Sequence, residues 1–255
     1  MVMIAPPISP APGSGNGASP PTVAVILPVF NEAMHLEKSL SELLAGHPFD
    51  EVIVVDGGST DASVEIVCKL MSADMTGVQP VPYLIQAPRG RARQMHAGAQ
   101  VAGADALFFL HADTTLPPDA VEQIRNAIRG DYPCGRFDVR LSGRHFLFRV
   151  IERLMNWRSR VSGIATGDQG LFVRRDVYRM LGGFAPIALM EDIELSTRLK
   201  WVGKPARLRG PVIASSRRWE ERGILRTILL MWALRFLYWL GVSPERLARW
   251  YDRRR

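Results

Sequence analysis

Residues 107–115 (LFFLHADTT) constrain the fold more than any other stretch. Four apolar residues in a row describe a strand buried on both faces, as inside a parallel sheet. The run stops on His111, Asp113 and two threonines, and Pro117–Pro118 then rules out a continuing ladder. Open α/β sheets hold their ligands just beyond the carboxyl ends of the strands. An acidic residue there, two positions after an imidazole, is a candidate for handling a metal or a phosphate. A polar strand-to-loop turn is the competing explanation, since Asp is common in turns.

The same pattern recurs upstream. Residues 22–30 (TVAVILPVF) form a second buried strand, closed by Pro28 and then Asn31. Asn31 is an expected N-cap, with Met34, Leu36, Leu40, Leu43 and Leu44 behind it as a helical stripe. Residues 51–55 (EVIVV) are a third strand, ending on Asp56–Gly57–Gly58–Ser59–Thr60–Asp61. There two glycines allow a sharp turn, and Ser, Thr or Asp can cap the helix carrying Val64, Ile66, Val67 and Leu70. A short strand at 81–86 leads into a basic helix at 89–100, and another helix spans about 119–129. Four strand–helix alternations without an internal repeat predict an α/β fold, a mostly parallel sheet flanked by helices.

Beyond Gly130 the pattern changes. Residues 135–142 alternate apolar and polar, which predicts a half-exposed antiparallel strand in a smaller second part. A helix through Phe146, Phe148, Val150, Ile151 and Leu154 follows, then a strand at 167–175. A helix over 187–201 carries Glu191, Asp192 and Glu194 at its start, where carboxylates sit well against the dipole. The chain closes with residues 213–219, a long apolar stretch at 224–240 and an arginine-rich tail.

Composition narrows the partners. The 255 residues suffice for one substantial core, and 32 Lys+Arg against 25 Asp+Glu give a net charge of +7. That excess favours anionic partners such as sugar nucleotides, phospholipid surfaces or nucleic acid. Cys68 and Cys134 form neither a disulfide framework nor a metal spacing, so a reducing cytosol is expected. The start of the chain lacks the pattern of a signal peptide, and residues 1–21, rich in Pro, Gly, Ser and Ala, are expected to be a disordered tail.

Three strands end in polar groups: Asn31 and Glu32, Asp56, and His111 with Asp113. In a parallel sheet these line one edge, the geometry of a nucleotide-binding crevice. The motifs PVFNEA, VVDGGSTD, FFLHADTTLP, GDQGLFVRR and MEDIELSTRL occur here in order, and together they resemble family 2 glycosyltransferases of the GT-A fold. GRARQMHAGA, GRFDVRLSG, GIATGDQG and RRWE are similar to a bacterial subgroup labelled selenodomain-associated transferases. The resemblance covers roughly residues 22–250, with 22–220 as a GT-A catalytic domain and 221–255 as a basic helical extension.

The resemblance implies a nucleotide-diphospho-sugar donor, UDP-sugar by family frequency, and a divalent cation, Mn2+ or Mg2+. It implies donor contacts from Pro28, Asn31, Glu32, Asp56, Ala112 and Arg218, with any contact at Gly57 made by backbone. Arg89, Arg91 and Arg93 crowd a helix start, where the dipole disfavours cations, so Arg93 is a further candidate for a diphosphate; a solvated basic face is the alternative. Gly57 stands where the family often has a second Asp. Asp113 matches the metal-binding Asp of the DxD motif, with His111 in place of its acidic companion. His suits Mn2+ better than Mg2+, and an imidazole that never touches metal is the alternative. Asp192 matches the catalytic base, with Glu191 as its orienting neighbour. Asp168 and Gln169 match an acceptor-side motif, and Trp219 would wall the acceptor. Ser215 takes the Gln position of the QxxRW motif of processive members, whose flanking membrane spans the pattern also lacks, so single-sugar transfer is expected. The resemblance implies inversion at the sugar, with a small-molecule or lipid-linked acceptor.

Residues 224–240 (ILRTILLMWALRFLYWL) raise the question of a membrane span. Arg235 near the bilayer centre would cost roughly 2.5–3.5 kcal/mol, and the uncharged run is too short to cross. A helix packed on the domain and one lying on an anionic membrane, at its inner face, are the two remaining readings. Three rival functions are weaker. A DxDxT phosphatase would need its nucleophilic Asp at His111, and a sugar nucleotidyltransferase would need a Gly-rich loop after the first strand. A non-enzymatic basic binder is the third; scattered arginines and the lack of a nucleic-acid motif argue against nucleic acid as partner.

Overall fold

The computed structural model describes residues 19–72 and 80–253, apart from the side chains of Arg218, Asp252 and Arg253. The expected N-terminal tail lies almost wholly outside the described residues. Strands β1 (Val23–Val29), β2 (Glu51–Asp56), β3 (Tyr83–Gln86) and β4 (Ala106–Phe109) pair in parallel in the order β3-β2-β1-β4. Helices α1 (Ala33–Gly46), α2 (Ser63–Ser72) and α3 (Arg91–Val101) make the crossovers. A two-residue β5 (Thr114–Thr115) and helix α4 (Ala120–Arg129) follow β4.

The second half extends the same sheet instead of building another. β6 (Cys134–Leu141), β7 (Leu171–Arg174) and β8 (Ala206–Ala214) continue the order as β4-β7-β6-β8-β5. β7 runs antiparallel to both β4 and β6, whereas β6 and β8 are parallel. The remaining helices are α5 (Phe146–Ser162), α6 (Arg175–Met180), α7 (Glu191–Val202), α8 (Arg217–Arg222), α9 (Ile224–Trp239) and α10 (Pro244–Arg253).

Both faces of the sheet are covered, which is why its strands read as unbroken apolar runs. Val23, Val25, Leu27 and Val29 of β1 share a core with α1, α4 and α5, including Leu40, Ile124 and Phe148. The alternate residues Ala24 and Ile26 share another with α3, α6 and α7, including Met95, Tyr178 and Leu195.

Four expectations change. Asn31 is not the N-cap of α1; it adopts a left-handed φ of 53°, and Glu32 takes the cap position. The first N–H groups of α1 are satisfied from the next loop instead, Glu32 N by Ser63 Oγ at 2.9 Å and Ala33 N by Asp61 Oδ2 at 3.0 Å. β6 is mostly buried, not half-exposed, because α5 and β8 pack against it; of its residues only Arg140 is exposed. Thr166 and Gln169 close a 3-10 turn over Gly167–Gln169, so the strand begins at Leu171. Helix α7 starts at Glu191, where Met190 breaks the preceding chain with a left-handed φ of 70°.

Candidate active site

The strand register sets the rim. Val29 lies level with Asp56 and Ile26 level with Phe109, so β1, β2 and β4 end along one edge. Pro28 sits level with Val55 just inside that edge, and Glu32 opens α1 beyond it.

The turn after β2 is built around a buried carboxylate. Asp56 accepts hydrogen bonds from Gly58 N at 3.0 Å and Ser59 N at 3.1 Å, while Asn31 Oδ1 accepts one from Thr60 N at 2.8 Å. Gly57 has a packing reason to lack a side chain. A Cβ there would stand 2.9 Å from Nε2 of Gln94. That buried amide donates to Val29 O and Val55 O, each at 2.8 Å, and ties together the ends of β1 and β2. Gln94 escaped the sequence reading; its signal is a lone amide beside Ala92, Met95 and Ala99 on the buried side of α3.

Of the arginines at the start of α3, Arg93 is exposed and Arg89 lies 4.2 Å over the Phe30 ring. Arg91 is the one brought into the field of the acidic cluster. It is exposed as a residue, yet desolvation of its guanidinium, which lowers its pKa, is outweighed by Glu191, Asp168, Tyr251 and Asp192.

Beyond β4 the chain turns through His111, buried Ala112 and half-buried Asp113. Among the described residues, Asp113 has no hydrogen-bond or ion-pair partner. Its expected companion His111 is turned toward a different loop. A Cβ on Gly167 would lie 2.7 Å from His111 Nε2, and His111 Nδ1 is 3.7 Å from Asp168 Oδ1. Gly167 N in turn donates to Asp192 Oδ2 at 2.7 Å, and Asp192 Oδ1 accepts from Ile193 N at 2.7 Å. His111, Gly167, Asp168 and Asp192 therefore form one cluster at the end of β4, built from two loops and a helix start.

Glu191 lies behind this cluster, 6% exposed. Burial and the charge of Asp192 push its carboxyl up to about 7, partly opposed by Arg91. Arg158 of α5, absent from the sequence-based candidates, also feels Asp192 and Asp168, although burial dominates and lowers its pKa. Its Nη2 is 3.5 Å from Thr166 Oγ1, and its Nε is buried without a partner among the described residues.

Two acceptor-side candidates carry packing contacts of their own. Gln169 is fully buried, and its Oε1 accepts from Ser159 Oγ at 2.7 Å and from Thr166 N at 3.2 Å. It shapes the 3-10 turn that carries Asp168. Trp219 is half-buried against the core shared by α1, α4 and α5, so it packs α8 onto the domain. The side chain of Arg218 lies outside the described residues. No group of three or more His, Cys, Asp or Glu converges as a metal cage among the described residues. A cation at Asp113 would thus depend on one carboxylate plus ligand phosphates, a donor set that hard divalent ions accept.

The chain is similar in sequence to several curated proteins and in fold to solved structures. The chain is 30% identical over 160 residues to an undecaprenyl-phosphate 4-deoxy-4-formamido-L-arabinose transferase of Pectobacterium carotovorum, covering 60% of this chain and 47% of that one. An uncharacterized glycosyltransferase of Haemophilus influenzae is 29% identical over 107 residues, 42% of each chain. The chain spans about half the length of the curated relatives it matches, or less. Two solved structures share the fold. The mannosyltransferase PcManGT of Pyrobaculum calidifontis, in complex with GDP-Man and Mn2+, has a TM-score of 0.58 at 22% identity, over 77% of this chain and 57% of that one. TarS of S. aureus, in complex with UDP, has a TM-score of 0.62 at 15% identity, over 76% and 60%. The profile described as glycosyl transferase family 2 matches residues 24–182, more than half the chain and every strand of the rim, and the chain belongs to that family.

Proposed function

We propose that this protein transfers a single sugar from a nucleotide-diphospho-sugar, a UDP-sugar by family frequency, to a lipid-linked or small-molecule acceptor. One observation carries the reading: Asp192 is held by the Gly167 N–H beside His111, at the end of β4, on the sheet edge that also ends in Asp56. The acceptor oxygen attacks the anomeric carbon as the bond to the diphosphate breaks on the opposite face, which inverts the centre. Asp192 takes the proton of an acceptor hydroxyl. Asp56 keeps unused lone pairs for an N–H of the base, and Arg218 steadies the departing diphosphate. Asp113 with the donor phosphates would hold a divalent cation, which supplies neutralising charge at the leaving group. Residues 22–220 form the catalytic domain and 221–255 an extension that works at the inner face of a membrane.

Asp192→Asn tests this. Transfer to a hydroxyl acceptor should fall by roughly 10²–10⁴-fold while donor affinity holds. A collapse of donor affinity with unchanged turnover of bound donor would make Asp192 a binding residue. A second reading is favoured by the positive field that Arg91 and Arg158 exert on Asp192, and by relatives whose names contain undecaprenyl-phosphate. A phosphate monoester is mostly dianionic near neutral pH and needs no base. With such an acceptor Asp192→Asn should be mild and Arg158→Ala severe.

A further inference from the structure

We infer that α9 is a docking face for an anionic bilayer surface, and that docking holds the Asp192 site against the membrane. Leu225, Leu229, Trp232, Phe236 and Trp239 follow a 4-3-4-3 spacing and so share one face of the helix. All five are between 58% and 78% exposed. The opposite face is used by the fold: Leu230, Met231, Leu234 and Tyr238 pack with Met190 and Leu247. A continuous exposed row of this kind marks a surface that meets something apolar.

Charge decides the occupant. At about 100° per residue, Arg226 and Arg235 flank the row on either side, and α9 contains no acidic residue. Exposed Arg246 and Arg249 on α10, with exposed Trp250, add to the same character. A second copy of α9 would bring arginines against arginines, whereas lipid phosphates meet them with opposite charge. No helix among the described residues is long and apolar enough to cross a membrane, so α9 would lie in the interface. A second exposed row on α5, which includes Phe146 and Trp157, begins beside α8, where a Cβ on Gly143 would crowd both Phe148 and Glu220.

The link to the site is mechanical. Met190, in its left-handed conformation directly before Glu191 and Asp192, is packed by Leu234 of α9 and Leu247 of α10. A bilayer under α9 thus sets the depth of the candidate base relative to lipid head groups. This purpose rests on the proposed glycosyl transfer; the docking itself does not.

The test is flotation of the full chain with vesicles of phosphatidylcholine alone or mixed with phosphatidylglycerol. Binding should require the anionic lipid and weaken with salt. Trp232→Glu with Phe236→Glu should reduce it roughly tenfold or more with unchanged circular dichroism, since both side chains are exposed. Arg226→Gln should weaken it about fivefold. No binding to mixed vesicles at low salt, or binding indifferent to the double variant, would overturn the inference. So would light scattering that showed a dimer dissolved by the double variant. A parallel thermal shift with a panel of nucleoside diphosphates, UDP and GDP among them, separates the two ideas: vesicle binding without a response to any of them keeps the docking face and removes the glycosyl-transfer reading. A nucleotide response without vesicle binding does the reverse.

Discussion

Replacing Glu191 by Gln probes the electrostatics around the candidate base through stability, independent of any substrate. Glu191 is buried beside Asp192, and its carboxyl is pushed up to about 7. The folded chain therefore holds this proton more tightly than the unfolded chain, whose ordinary value is 4.5. Below that value both states are protonated and nothing is lost. As pH rises toward 7 the unfolded chain releases its proton first, which stabilises it; above 7 the loss levels off. The full difference is about 3 kcal/mol, an order-of-magnitude figure with the attraction to Arg91 already included. Glutamine has the same shape and no charge at any pH. Glu191→Gln should match the parent near pH ~4.5 and exceed it by up to about 3 kcal/mol near pH ~8, roughly 6–12 °C in Tm. Urea denaturation across that range reads the effect. A gap that does not widen with pH, or a parent more stable at the alkaline end, would refute the reasoning.

Other consequences follow from single contacts. Gln94→Ala should cost about 2–4 kcal/mol by urea midpoint, because the carbonyls of Val29 and Val55 lose a buried donor each shares. Gly167→Ala puts a Cβ 2.7 Å from His111 Nε2, so either the His111 ring or the loop whose N–H holds Asp192 must shift. Turnover should drop roughly 10–100-fold with donor KM little changed, and adding His111→Ala should restore part of it. Asp113→Asn should remove the Mn2+-dependent part of the thermal shift produced by UDP. Cys134 is buried with its thiol pushed up to about 12, whereas Cys68 is exposed. A thiol reagent should therefore titrate Cys68 in the folded protein and reach Cys134 only after denaturation.

Much of the fold was legible because the signal is local. Runs such as AVILPV and EVIVV, bounded by turn residues, identify strands covered on both faces without knowledge of their neighbours. Asp56 and Asp113 could be assigned to the rim for the same reason, since a parallel sheet sends the ends of its strands to one edge. Partnerships across the chain were less visible. Nothing near Gly57 announces Gln94, and nothing near Asn31 announces that α1 is capped by Asp61 and Ser63. In the sequence Gln169 looks polar and available, yet Ser159 and Thr166 consume its amide oxygen inside the domain.

The sequence by itself determined the element types, the parallel core and the edge where chemistry can gather, because apolar periodicity encodes burial one residue at a time. Tertiary structure decided which groups meet there. It turned His111 toward Gly167 and Asp168 and put the acidic cluster within the electrostatic reach of Arg91 and Arg158. It also packed α9 and α10 on Met190 while leaving one face of α9 open. The physical reason is that contacts between distant segments depend on how sheet and helices pack in three dimensions, and no local pattern carries that information.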